Sequence, residues 1–167
     1  MLAHRERLFI DDLDSAIRLQ CGREPCRLAN GLVVQPSGPE GFGLTVIADA
    51  GRYALYFDGW AEEFGSDEIV RRLVLAALSG DVRLRVDLLG GRRWRWTLES
   101  LDANGAWQPE STLSHVTWRF WGARETQYLR NAPGPAARLD VASRPAADLL
   151  SPPSRGVFEQ SATAPAA

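Results

Sequence analysis

The segment 81–100 alternates apolar and polar residues with a period of two on both sides of a glycine pair. Alternate side chains of a β-strand point to opposite faces, and Gly-Gly between two such runs favours a tight turn. The pattern therefore predicts a hairpin, with Trp94 and Trp96 on the same face as Val86. A buried tryptophan removes about 200 Å² of surface from water, so we expect both tryptophans to lie in the core.

Residues 66–80 have the apolar spacing of an amphipathic helix. Ser66 can cap the first turn, acidic residues follow it directly, and Gly80 can end the last turn. We therefore expect a helix over 66–79. Shorter patterns of the same two kinds predict further elements, namely a helix over 11–20 and strands over 28–35, 44–48, 53–57 and 114–121.

The predicted elements follow one another as helix, strands, helix and strands, and tight turns join the strands. That order is typical of an α+β domain, in which hairpins form a mostly antiparallel sheet. We expect about six strands in one sheet, with the helices on one face, and a single domain over 1–131. Residues 132–167 contain six of the ten prolines and few large apolar side chains, so they are predicted to form a disordered tail.

All 19 basic residues are arginine, and the net charge of the chain is −2. The absence of lysine excludes a lysine Schiff base and a catalytic lysine amine. An acidic chain also lacks the general attraction that nucleic acids and acidic membranes exert on basic proteins. The first residues lack the apolar segment of a signal peptide, and no apolar run could span a bilayer. We therefore expect a cytoplasmic protein that does not bind membranes.

Several common motifs of enzyme chemistry are absent from the sequence. The chain has two histidines and two cysteines, with no HExxH, GxSxG or paired CxxC motif. Cys21 and Cys26 are predicted to be reduced thiols that bind no metal. We therefore expect no cofactor, and a binding protein in preference to an enzyme.

Strand parity places a set of arginines on the face opposite the tryptophans of the hairpin. This predicted face, bordered by Trp107 and Tyr128, contains Arg83, Arg85, Arg93, Arg95, Arg119 and Trp121. Guanidinium and aromatic groups are enriched where proteins bind one another, so the face could bind an acidic partner. It could also be the solvated outer face that antiparallel sheets normally have, or it could be covered by the acidic residues between 58 and 68.

An acidic stretch over 57–68 offers a different kind of site. Asp58, Glu62 and Glu63 lie between glycines, and three carboxylates can bind Mg²⁺ or Ca²⁺. Their spacing matches no EF-hand, and no phosphate-binding loop accompanies them. The structural alternative, which we favour, is a loop between a strand and a helix. In that loop the acidic residues favour the helix N-terminus and Trp60 fills the core.

Three functional hypotheses follow, in order of preference. The first is a small non-catalytic interaction module that binds an acidic surface of an unidentified protein partner through the arginine face. The second is a single-stranded nucleic-acid binder, with arginines on phosphates and Trp121 or Tyr128 stacked on bases. The third is a metal-dependent enzyme at Asp58, Glu62 and Glu63.

Overall fold

The computed structural model describes residues 4–115 and 122–132, which form two helices, a π-helical turn and nine strands. The helices are α1 (His4–Ala16), which continues into the π-helical turn (Ile17–Cys21), and α2 (Asp67–Ser79). The first five strands are β1 (Cys26–Leu28), β2 (Gly31–Val34), β3 (Leu44–Asp49), β4 (Arg52–Phe57) and β5 (Trp60–Phe64). The last four strands are β6 (Val82–Leu89), β7 (Arg92–Leu101), β8 (Trp107–Ser114) and β9 (Arg124–Arg130).

The strands form two antiparallel sheets. The first sheet has the order β1-β2-β3-β4-β5, and the second has the order β8-β7-β6-β9. The α+β class with antiparallel pairing is therefore confirmed, but the expected single sheet of about six strands is wrong. Strands close in sequence tend to pair, and α2 separates the two groups of strands along the chain, so each group forms its own sheet.

The helix α2 begins and ends where the sequence predicts. The Ser66 hydroxyl accepts a hydrogen bond from the N–H of Ile69 at 3.4 Å, and Gly80 ends the helix in the left-handed conformation, with a φ of 87°. α2 contacts β4 and β5 of the first sheet and β6 of the second, while α1 contacts β2 and β3. The expected arrangement, with the helices on one face of one sheet, is not seen.

One apolar core contains residues from both helices and both sheets. The Phe9 ring meets the Tyr53 ring edge-on at 4.6 Å, so α1 lies against β4. Phe57 stacks on Trp60 at 5.1 Å, and the Nε1–H of Trp60 donates to the hydroxyl of Ser111 at 3.0 Å. This hydrogen bond joins β5 of the first sheet to β8 of the second.

Asn131 forms a buried polar contact at the end of β9. Its Nδ2 donates to the carbonyl oxygens of Phe42 and Ala77, at 3.2 and 3.4 Å. Its Oδ1 accepts from the N–H and from the hydroxyl of Ser37, each at 3.2 Å. One side chain thereby connects the loop before β3, the last turn of α2 and the end of β9, and its polar atoms are satisfied as burial requires.

Some segments differ from the elements that the sequence predicts. The first helix begins at His4 rather than at residue 11, and β5 occupies most of the acidic stretch that was expected to be a loop. Residues 61–63 of β5 are exposed and two of them are acidic, so this edge strand lacks the apolar alternation that identifies a strand in sequence. β9 is a further strand that the sequence analysis did not predict.

Residues 1–3, 116–121 and 133–167 lie outside the described residues. The predictions for Arg119, for Trp121 and for a disordered tail fall there, and so does most of the strand predicted over 114–121. Within the described ranges, no helix is long and apolar enough to cross a membrane.

The two thiols have different environments, which leads to a testable difference in reactivity. Cys21 is buried and Cys26 is exposed, and neither forms a disulfide. Burial raises the pKa of the Cys21 thiol, and Arg23 opposes this shift only in part. Because the thiolate is the reactive form, native protein should react with a thiol reagent quickly at Cys26 and slowly at Cys21.

The measurement is the number of thiols that react with a disulfide reagent in native and in urea-unfolded protein. One fast thiol in the native state and two in the unfolded state are expected. A Cys26→Ser variant should lose the fast phase. Two equally fast thiols in the native protein would contradict the buried position of Cys21.

Candidate functional site

Three of the predicted arginines lie on one face of the second sheet. Arg83 and Arg85 are on β6, and Arg95 is on β7, where it pairs directly with Asp87. Trp96, the next residue after Arg95, points to the opposite face and is only 6% exposed. The period of two therefore places these residues as predicted, because the pairing of β6 with β7 is regular from Arg83 to Asp87.

Glu99 bridges two of these arginines. Glu99 lies directly across from Arg83 in the register of β6 and β7. The Nε–H of Arg83 donates to Glu99 Oε2 at 2.6 Å, and Nη1 of Arg85 donates to Oε1 at 2.9 Å. The Glu99 side chain is only 4% exposed, so both carboxylate oxygens are held by guanidinium groups in place of water.

Asp87 binds the third arginine, Arg95, in a similar way. Nε and Nη2 of Arg95 each lie 2.6 Å from Asp87 Oδ2. The hydroxyl of Thr126 on β9 donates to Oδ1 at 3.0 Å, and Nε of Arg85 lies 3.8 Å from the same oxygen. The ion pairs thus form one continuous row across β6 and β7, in which two buried carboxylates alternate with three arginines.

Aromatic rings enclose the end of this row. The guanidinium carbon of Arg83 lies 4.4 Å from the centroid of the Trp107 ring and 4.2 Å from that of Tyr128. Arg130 approaches the Trp107 ring at 5.1 Å. Stacking of guanidinium groups on rings is a favourable contact that a lysine would make less well. We call the set of Arg83, Arg85, Arg95, Arg130, Trp107 and Tyr128 the arginine–aromatic face.

Arg93 does not share this face, although the period of two predicted that it would. The register between β6 and β7 shifts after Asp87, and Trp94 is left without a paired residue. A β-bulge adds one residue to one strand and changes the side-chain alternation beyond it. Arg93 therefore lies across from the buried Leu88, and its Nη1 donates to Asp58 Oδ2 at 2.7 Å.

The acidic stretch does not assemble a metal site. Glu63 forms an ion pair with Arg52 at 3.2 Å, Glu62 accepts from the Ser111 hydroxyl at 2.7 Å, and Asp58 is held by the ion pair just described. Over 4–115 and 122–132, no three His, Cys, Asp or Glu side chains are grouped so that they could hold a metal ion. The three carboxylates do not converge as a metal-dependent enzyme would require.

The acidic stretch was one candidate for covering the predicted arginine face, and only part of that hypothesis is met. In the described part of the chain, Asp58 is the member of the stretch that contacts a predicted site arginine. The other three described arginines are paired with Asp87 and Glu99, which belong to the same two strands as the arginines themselves. The counter-charges of these three arginines therefore come from the second sheet rather than from the acidic stretch.

β9 adds residues to this face that were not predicted from the sequence. Arg124, Thr126 and Arg130 alternate with residues of the opposite face, and Tyr128 lies between them. The opposite face carries Glu125, a glutamine and a leucine, so the segment has polar residues on both sides and no apolar stripe. The available signal was the regular alternation of cations with hydroxyl and aromatic groups in RETQYLR.

Comparison with known proteins gives no assignment for this arrangement. No protein-family model matches the chain, and no curated protein or solved structure shows a significant match to it.

Proposed function

We propose that the chain is a small non-catalytic interaction module that binds an acidic protein surface through the arginine–aromatic face. The position of Arg83 is the observation that carries the proposal. Arg83 donates its Nε–H to Glu99, while neither of its Nη groups forms a hydrogen bond within 4–115 and 122–132. Two Nη groups on a fixed planar guanidinium are available for a carboxylate of a partner.

The arginines of the face are ordered before any partner binds. Glu99 and Asp87 fix three guanidinium groups, and the rings of Trp107 and Tyr128 fix the plane of Arg83. Immobilising a long side chain at an interface costs about 0.5–1.5 kcal/mol, and this cost is already met here during folding. A preordered face can therefore bind a partner with few new contacts.

The charge of the face suits a partner with a few well-placed carboxylates. Four arginines and two carboxylates leave an excess of two positive charges on a chain whose net charge is −2. A nucleic-acid backbone carries closely spaced phosphates, and its affinity depends on many unpaired cations. Asp87 and Glu99 already pair with three arginines of the face, so few unpaired cations remain for a phosphate backbone, which favours a protein partner with few carboxylates.

Tyr128 provides an exposed aromatic contact at the edge of the face. It is 49% exposed, and its ring lies on Arg83. Arginine, tyrosine and tryptophan are the residues most often responsible for binding energy at protein interfaces. The exposed ring next to a fixed guanidinium is therefore the position where a substitution should affect binding most and folding least.

The test compares two exposed tyrosines in a pull-down from the lysate of the native host. Tyr56 is a matched control because it is 45% exposed but lies on the first sheet. Tagged full-length chain should retain a protein after nuclease treatment. Tyr128→Ala should reduce its retention about tenfold, and Tyr56→Ala should leave it unchanged.

Other outcomes would contradict the proposal. Material that disappears on nuclease treatment would favour single-stranded nucleic acid, with Tyr128 stacked on bases. Equal retention by the two tyrosine variants would place the binding surface elsewhere, and no retained protein would count against an interaction module.

A further inference from the structure

We infer that the partner binds as an added β-strand along the outer edge of β9, and that it is an extended segment with acidic residues at alternate positions. This inference rests on the proposed function, because the acidic side chains would meet the arginine–aromatic face. It goes beyond that function in naming the backbone contact and the conformation of the partner.

The hydrogen bonds around β9 show which of its amides point away from the sheet. In an antiparallel strand, the N–H and C=O of one residue point to the same side, and the side alternates along the chain. Gly90 N–H donates to Ala123 at 2.9 Å, and Arg130 N–H donates to Glu40 outside the sheet at 2.7 Å. The backbone groups of 124, 126 and 128 therefore point outward.

This outward edge is unoccupied in the described part of the chain. Beyond the bond from Arg130 to Glu40, no backbone hydrogen bond reaches the outer side of β9 from residues 4–115 or 122–132. Residues 124–128 are exposed throughout. An edge of this kind presents donors and acceptors at the spacing that an extended peptide needs.

The other sheet edges in the described chain are less suited to accept a strand. β1 contains only three residues. β8 contains Pro109, which cannot donate, and its Ser111 is hydrogen-bonded to Trp60 and Glu62 of β5. The edge strand β5 contacts β8 through these same two hydrogen bonds. β9 has no proline and no bulge, so it is the edge that a partner strand fits best.

The side chains of β9 determine the charge of the partner. On the arginine side, an added strand would lie beside Arg124, Tyr128 and Arg130, and Arg124 forms no ion pair within the described residues. On the other side it would lie beside Glu125 and Gln127. Opposite charges on neighbouring strands attract and like charges repel, so acidic residues are favoured on one face of the partner strand only.

The first test uses two synthetic peptides with the same charges. Each has about nine residues and alternates Glu with Thr or Val, the length and pattern of a typical strand. In the second peptide the N–H groups of alternate residues are methylated, so that they cannot pair with β9. Fluorescence anisotropy with full-length protein should show binding of the first peptide and at least tenfold weaker binding of the second.

The second test changes the protein edge. Thr126→Pro removes an outward N–H that β6 does not use, and proline is tolerated at such edge positions. Thr126→Val is the matched control, because both substitutions lose the hydroxyl bond to Asp87 but valine keeps the N–H. Thr126→Pro should weaken binding of the unmodified peptide about tenfold relative to Thr126→Val.

Amide hydrogen exchange of the wild-type protein provides a readout that does not depend on a variant. Addition of the unmodified peptide should slow exchange at 124, 126 and 128, whereas 125, 127 and 129 are already paired with β6. Unchanged exchange at 126 and 128 in the peptide complex would overturn strand addition.

The outcomes separate this inference from the proposed function. Equal binding of both peptides, lost in Tyr128→Ala, would keep an acidic partner on the face but exclude strand addition. Failure of both peptides to bind would count against the acidic partner itself, and preferential binding of a single-stranded oligonucleotide would replace it with nucleic acid.

Discussion

Replacing Glu99 with Ala is expected to lower the free energy of unfolding by about 3 kcal/mol. The carboxylate is almost completely buried and accepts hydrogen bonds from both Arg83 and Arg85. Removing it leaves two guanidinium groups close together on neighbouring positions of one strand face, without their shared counter-charge. Removal of one member of a buried ion pair is strongly destabilising, because the remaining charge is not fully rehydrated.

The control is the same substitution at an exposed ion pair. In the pair of Arg52 and Glu63, the side chains are 75% and 63% exposed. Glu63→Ala should therefore change stability by less than about 0.5 kcal/mol. Urea unfolding at constant m-value measures both variants. Similar midpoints for the two would mean that Glu99 is not a structural counter-ion of the arginine row.

Trp96→Ala is expected to lower the free energy of unfolding by about 3–5 kcal/mol, the range for removing a large buried side chain. The ring packs against Gly59 in the turn between β4 and β5, where even a methyl group would come within 2.9 Å of the indole. It also meets His115 edge-on at 5.1 Å. The indole N–H has no hydrogen-bond partner among the described residues, which places the expected loss toward the lower end of the range.

Trp94 provides the matched control on the same strand. It is only partly buried, lies at the bulge and stacks on Arg95 at 4.9 Å. Its replacement by Ala should cost no more than about 1 kcal/mol, the magnitude of a partly exposed ring contact. Thermal and urea unfolding of both variants test the difference. Equal destabilisation would contradict the register shift that distinguishes the two tryptophans.

The elements that local chemistry specifies could be predicted from the sequence. Ser66 and Gly80 define α2 because a cap and a left-handed glycine act within one turn of the helix. A tight turn was expected between the strands predicted over 44–48 and 53–57, and the turn between β3 and β4 lies there, with Gly51 at a φ of 77°. The positions of Arg83, Arg85 and Arg95 followed from the period of two, which depends only on neighbouring residues.

The structure differs from the sequence predictions where long-range contacts determine the conformation. Nothing in the local pattern around Trp94 indicates a bulge, because the alternation of apolar and polar residues continues through it. β5 and β9 are edge strands without a regular alternation of apolar and polar residues, so pairing rather than sequence pattern makes them strands. The division into two sheets also depends on which strands pair with each other, and no short segment of the sequence determines that pairing.

The contact made by Asn131 bears on the order in which parts of the chain fold during synthesis on the ribosome. Synthesis runs from the N-terminus, so the first sheet emerges long before the residue that joins its loop to α2. Ser37 lies 94 positions before Asn131, and closing so long a loop is entropically costly. We therefore expect the core to be completed only after β9 has been translated, so that the final closure is a late step in folding.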